Sequence, residues 1–227
     1  MIKQFNYDDI PIVQVKQGKL HGYQSEGTYI FKGISYARAK RFQKPEEPET
    51  WDGVKEAVSY GYVSPMLKPD VPNGELMVPH RYWIQNENCQ NLNIWTQSLN
   101  RDAMRPVLVW FHGGAFSMGS SIEQKAYNGE NMSKYGDVVV VTVNHRLNIL
   151  GYLDLSQYGE KYANSANVGQ DDLIAALKWI KENIKEFGGN PQNVTIFGQS
   201  GGGMKVSGLM QMKEADGLFQ KGIIMSG

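Results

Sequence analysis

The hydrophobic pattern changes character along the chain. Near the start, Ile12–Val15, Lys19–Tyr23 and Thr28–Ile34 carry short alternating or clustered β-formers, interrupted by Gly18 and Gly27. This spacing predicts an antiparallel opening meander. Asn91–Trp95 reads as a further strand. Val107–Phe111 (VLVWF) and Asp137–Val143 (DVVVVTV) are continuous apolar runs of strand length. Unbroken apolarity predicts strands covered on both faces, as in a parallel sheet flanked by helices. Over Gly169–Phe187, Leu173, Ile174, Leu177, Ile180 and Ile184 recur at helical spacing opposite Lys178, Lys181, Glu182 and Lys185. Gly188-Gly189 should stop that helix, with Asn190-Pro191 turning the chain into a strand at Val194–Phe197. Helical residues follow at Val206–Met212, and Gly222–Ser226 (GIIMS) reads as a last buried strand whose edge would be open. Gln43–Thr50 is a Pro- and Glu-rich surface loop. Val63–Glu87, with Pro65, Pro69, Pro72 and Pro79, is a long loop, and Tyr82 and Trp83 within Val63–Trp83 are candidates for a pocket rim. Helices between buried strands give an α/β fold with a doubly covered sheet.

The glycines after Phe197 change the picture from architecture to chemistry. Gly198-Gln199-Ser200-Gly201-Gly202 has the form G-x-S-x-G between a strand and a helix. In a nucleophile elbow the serine sits on a sharp strand-to-helix turn, and its neighbours two residues away lack Cβ because two backbones crowd there. From the glycine and serine frequencies roughly 0.2 chance matches are expected, so the pattern needs its strand–turn–helix context to carry weight. A merely flexible glycine turn is the plain alternative. A phosphate loop fits poorly, because Met204 stands where Lys is needed and Lys205 comes one residue late. A dinucleotide fingerprint fails because Ser200 replaces its second glycine.

Bulk properties narrow the partners. The 227 residues carry 23 Lys+Arg and 23 Asp+Glu. With that balance nothing argues for nucleic acid or an anionic membrane as partner, and neither is expected. Cys89 is the one cysteine, so no internal disulfide or thiolate metal cluster forms, and a small buried hydrophobe is its simplest role. The start has no apolar signal region, and no stretch is long enough to span a bilayer. A reducing cytoplasm is the expected location.

The order of several segments resembles the type-B carboxylesterase/cholinesterase-like family of α/β-hydrolases. They are FKGISYA (Phe31–Ala37) with Arg41-Phe42, ENCQNLNIW (Glu87–Trp95), HGGAF (His112–Phe116), NHRLNILGYL (Asn144–Leu153), NVGQDDLIAALKWIKENIKEFGGNP (Asn167–Pro191), VTIFGQSGGG and IIMSG. The resemblance implies an α/β-hydrolase fold, with a mostly parallel central sheet and an antiparallel N-terminal meander. It implies Ser200 as acyl-forming nucleophile, and an oxyanion hole from the backbone N–H groups of Gly114, Ala115 and Gly201. It needs no metal and no organic cofactor. Arg41 and Glu87 match a structural ion pair, and Asn167, Asp172 and Trp179 match residues fixing the helix against the sheet. His112 and His145 lie in structural motifs. His21 and His80 carry no catalytic signal, and Glu214 and Asp216 read as solvated charges. Gln199 is neutral where the family often has glutamate, Gly201 replaces the usual alanine, and Asn88 and Gln90 replace Asp and Leu.

In this fold the triad runs Ser, then Asp/Glu, then His. No histidine follows Ser200. The expectation is therefore that residues 1–227 are the N-terminal portion of a single catalytic domain, incomplete at the C-terminus. Its acid and histidine would come from a C-terminal segment or second chain. The expected substrate is a small-molecule carboxylic ester, with amide or thioester cleavage by the same groups not separable. A catalytically silent binding module is the alternative.

Overall fold

The computed structural model describes residues 10–67 and 81–227. Pro69, Pro72, Pro79 and His80 lie outside the described residues.

The opening strands form as predicted but divide between two sheets. β1 (Ile12–Val15) and β2 (Gly18–His21) pair antiparallel. β3 (Tyr23–Ser25) pairs instead with β4 (Thr28–Ser35), also antiparallel. The run Lys19–Tyr23 is thus two strands, split at Gly22. That residue's N–H donates to the Pro11 carbonyl at 2.9 Å. A Cβ there would lie 2.6 Å from both the Ile30 carbonyl oxygen and the Phe31 ring. The chain must cross closely over β4 at that point, and only glycine leaves room. β5 (Val54–Glu56) adds parallel to β2 and completes a three-stranded sheet.

The main sheet is built from β6 (Asn91–Thr96), β7 (Arg105–Phe111), β8 (Val139–Val143), β9 (Gly189–Gln199) and β10 (Lys221–Met225), with β3 and β4 at one end. Its seven strands run in the order β10-β9-β7-β8-β6-β4-β3. β8, β7, β9 and β10 are mutually parallel, and β6, β4 and β3 join antiparallel beyond β8. Every residue of β8 is buried, as its continuous apolarity predicts, and β6 is equally buried although it carries Asn91, Asn93 and Thr96.

Among the described residues four α-helices connect or cover these strands: α1 (Glu130–Gly136), α2 (Asn148–Tyr152), α3 (Val168–Asn183) and α4 (Gly201–Leu209). Asp137, left-handed at φ 48°, caps α1, so β8 starts two residues later than its sequence signature. α3 continues as a 3₁₀ turn to Phe187 and stops at Gly188, φ 72°. Any Cβ at Gly188 would lie 2.5 Å from the Ser98 carbonyl oxygen. β9 begins at once, so Asn190-Pro191 lies within the strand rather than turning into it. The β7–β9 register shifts between Arg105 and Val107 opposite this stretch, which accommodates a residue without an N–H. Leu173, Leu177, Ile180 and Ile184 of the α3 face are fully buried in one core with Val107, Val109, Val139, Val141, Val194 and Ile196.

Two expectations for the C-terminal part change. α4 starts at Gly201, not Val206, directly behind Ser200. β10 is a strand, but its five residues are exposed, with Ile223 48% and Ile224 44% accessible. It pairs with β9 alone, so among the described residues nothing covers its outer side.

Candidate active site

Ser200 is the single residue between β9 and α4. It holds φ 56° and ψ −126°, a backbone conformation that costs a non-glycine residue about 1–3 kcal/mol. Two main-chain bonds hold it there: its N–H donates to Met225 O at 2.8 Å, and its carbonyl accepts from Met204 N at 3.1 Å. The flanking glycines are required by contact. A Cβ at Gly198 would collide with the Gly202 backbone, and one at Gly202 would collide with the Phe111 carbonyl and stand 3.0 Å from His112 O. The turn can be this tight only because both positions lack side chains.

The loop leaving β7 faces this turn. Gly114 and Ala115 take consecutive positive φ values of 83° and 54°. A Cβ at Gly201 would lie 2.5 Å from Ala115 N, and one at Gly113 would lie 3.6 Å from Ser200 Cβ. The structure therefore brings Ser200, Gly201, Gly114 and Ala115 into one place. Gly114 and Ala115 are exposed and Ser200 is half-buried, so a ligand can reach all three. Gly201 is the first residue of α4, where the amide has no acceptor within the helix and the helix dipole favours negative charge.

The described histidines stand apart from the serine. His112 is fully buried, with Nδ1–H donating to its neighbour Gly113 O at 2.8 Å. Burial holds its imidazole well below its ordinary pKa, the Lys205 charge adds to this, and the bond to Gly113 opposes it. His145 stacks on His112 with ring centroids 5.0 Å apart and is held neutral by the same burial and by Lys205. His21 Nδ1 lies 3.0 Å from Glu56 Oε1 on the small sheet. None of the three hydrogen-bonds to Ser200 among the described residues.

The supporting residues fall mostly where expected. Arg41 Nε donates to Glu87 Oε2 at 2.9 Å in an exposed pair, and that bond lowers the Glu87 pKa. Asp172 is fully buried and accepts from Arg146 Nη2 at 2.7 Å, Nε at 2.9 Å and the Arg146 backbone N at 3.0 Å. Trp179 Nε1 donates to Gln17 Oε1 at 3.2 Å. Asn167 precedes α3, and its side chain makes no capping bond to that helix. Cys89 is fully buried and burial pushes its thiol pKa up, in keeping with a small hydrophobe. Glu214 and Asp216 are exposed.

A groove of about 630 Å³ opens beside the Gly114–Ala115 loop, lined by Met66, Leu67, Met118, Ile149 and Leu150 among others. Tyr82 and Trp83 do not line it. They are exposed, and Trp83 packs edge-on against Tyr60 at 5.8 Å. The burial of one group is not foreseen from the sequence, where Lys205 figures only as a lysine one residue late for a phosphate loop. Lys205, one turn into α4, is fully inaccessible and donates through Nζ to His112 O at 3.0 Å. Its signal was a lone charge in an otherwise glycine-rich and apolar helix start. Among the described residues no group of three His, Cys, Asp or Glu could hold a metal, and no helix is long and apolar enough to cross a membrane.

The sequence pattern of the carboxylesterase family matches residues 9–227. The chain belongs to the carboxylesterase family. Its α/β-hydrolase fold is shared with solved carboxylesterases. An esterase from anaerobic Clostridium hathewayi that can hydrolyse aliphatic aromatic polyesters is 74% identical with a TM-score of 0.94, over 98% of this chain and 44% of that one. A Geobacillus stearothermophilus carboxylesterase is 42% identical with a TM-score of 0.84, over 93% of this chain and 42% of that one. Among curated relatives, the para-nitrobenzyl esterase of Bacillus subtilis is 41% identical over 220 residues, 95% of this chain and 43% of its own length. The chain thus spans about two-fifths of the length of the relatives it matches.

Proposed function

We propose that this carboxylesterase-family chain contributes the nucleophile and the oxyanion-binding amides for hydrolysis of carboxylic esters. The observation that carries the reading is the convergence of Ser200, raised on the β9–α4 turn, with the Gly114–Ala115 loop against Gly201. Ser200 Oγ attacks the ester carbonyl carbon as a base removes its proton. The carbonyl oxygen takes up the electron pair and lies among the N–H groups of Gly114, Ala115 and Gly201. Removing one donor of such a set costs about 2.7–4 kcal/mol of transition-state stabilisation. Collapse expels the alcohol, which receives the proton, and water then cleaves the acyl-serine by the same route.

A serine hydroxyl is a weak nucleophile without an adjacent base. His112 and His145 are buried and neutral behind the loop, and His21 is engaged on the small sheet. We take the imidazole and its acid partner to come from outside the described residues. In this reading residues 1–227 are the N-terminal portion of one catalytic domain, and β10 is the edge on which the rest of the sheet builds. The polyesters handled by the Clostridium hathewayi esterase are the first substrates to try, given 74% identity.

The test is adduct mapping by mass spectrometry after fluorophosphonate treatment. The chain is used alone and together with the part of the Clostridium hathewayi esterase that it does not cover. Labelling of Ser200 only in the mixture is expected. Labelling of the chain alone would contradict an external base, and no labelling in either state would favour a non-catalytic binding module.

A further inference from the structure

Lys205 sits on the same helix as the nucleophile turn. A helical side chain leans toward the N-terminus of its helix, which carries the Lys205 amine back under the first turn of α4. There Nζ donates to His112 O at 3.0 Å, the same oxygen that lies 3.0 Å from where a Cβ of Gly202 would stand. The bond therefore ties the helix bearing the serine turn to the peptide that opens the Gly113–Ala115 loop. Phe116, at the far end of that loop, lies with its ring centroid 5.8 Å from Nζ. Gln170 of α3 donates to the Lys205 carbonyl at 3.4 Å.

Burying an ammonium is costly, and a methionine would fill the same space without that cost. A structural tie alone gives no reason to keep the charge. The charged and titratable groups facing the amine are few. His112 at the end of β7 and His145 beyond β8 are both neutral. Glu123, on the loop between β7 and α1, is the acidic group. Arg146, next to His145, is engaged by Asp172.

We propose that Lys205 is a positioning residue for ester hydrolysis, its charged bond to His112 O holding the Gly114 and Ala115 amides in register with Ser200 and Gly201. The protonated amine is the stronger donor. Burial lowers its pKa to about 7, with Glu123 opposing, so the device weakens as pH rises through neutrality. This inference rests on the reading of Ser200 as nucleophile.

The experiment measures the rate of fluorophosphonate capture of Ser200, between about pH 5 and 9, in the mixture described above. Wild type, Lys205→Met and Lys205→Gln are compared. Lys205→Met is expected to slow capture by about a hundredfold, the scale of a small misplacement of reacting groups. Lys205→Gln, which keeps an N–H donor, recovers part of that loss. The wild-type rate should fall as pH rises through about 7, and this alkaline limb should vanish in both variants. A second readout needs no activity. The folded amine binds its proton more weakly than the unfolded one, so its destabilising effect is full below about 7 and is relieved toward the ordinary value of 10.5. The melting-temperature gap between Lys205→Met and wild type should narrow over that window. Equal capture rates, or an alkaline limb that persists in Lys205→Met, would overturn the proposal while leaving Ser200 as nucleophile. No capture by wild type would overturn the nucleophile itself, and this inference with it. Should Lys205→Met not fold, the wild-type limb and Lys205→Gln decide the question.

Discussion

Replacing Ser200 by alanine is expected to remove ester cleavage in the mixture with the uncovered part of the Clostridium hathewayi esterase. Loss of the nucleophile in a serine hydrolase costs roughly 10⁶ in kcat. Turnover of a nitrophenyl ester, with thermal melting as control, checks this. Alanine keeps a Cβ and therefore keeps the strain of φ 56°, so the melting temperature should stay close to wild type. Glycine at the same place should behave differently, because it accepts positive φ without penalty. Ser200→Gly is expected to be equally inactive yet more stable by about 1 kcal/mol or more. A rise in stability with loss of activity is the mark of strain held at a reacting group.

Asp172→Ala carries the second large effect, on folding rather than chemistry. Asp172 is fully buried, and the Arg146 side chain is 3% accessible. Removing the carboxylate leaves a guanidinium charge uncompensated in the core. Breaking such a pair typically costs about 3–5 kcal/mol. Chemical denaturation should show this as a lower midpoint with little change in slope. The damage would spread, since Arg146 Nη1 also donates to Gln43 O at 2.8 Å and so ties the Gln43–Thr50 loop to α3. The double change Arg146→Met with Asp172→Leu should recover much of the loss, because buried ion pairs are often replaceable by apolar residues.

The parts of the fold legible in the sequence were those set by local pattern. VLVWF and the core of DVVVVTV announce buried strands because every position faces a neighbour. α3 is announced by apolar residues at helical spacing. The elbow is announced by glycines whose absent Cβ atoms are required by contacts at Gly198 and Gly202. What the sequence hid depends on distant packing or on conflicting propensity. The start of α4 is hidden because Gly201, Gly202 and Gly203 are poor helix formers, each about 1 kcal/mol worse than alanine. Their place is set by the crowded crossing with the β7 loop, not by preference. The split at Gly22 arises from how closely the chain passes Ile30 and Phe31. GIIMS has the composition of a buried strand, but burial belongs to the neighbours a strand finds, and among the described residues β10 has one partner strand, with α4 against it. Arg146 and Asp172 meet across 26 positions, and nothing in either segment names the other. Lys205 reads as a surface charge by type, and only the packing of α4 under the loop reveals it as buried.

The geometry at the centre of this account is open to one direct measurement, a crystal structure of the Ser200 phosphonate adduct in the mixture that supports labelling. A phosphonyl oxygen is expected at about 2.7–3.1 Å from the main-chain nitrogens of Gly114, Ala115 and Gly201. An adduct whose oxygen faces solvent, or one in which the Gly114–Ala115 loop turns its amides away, would contradict it.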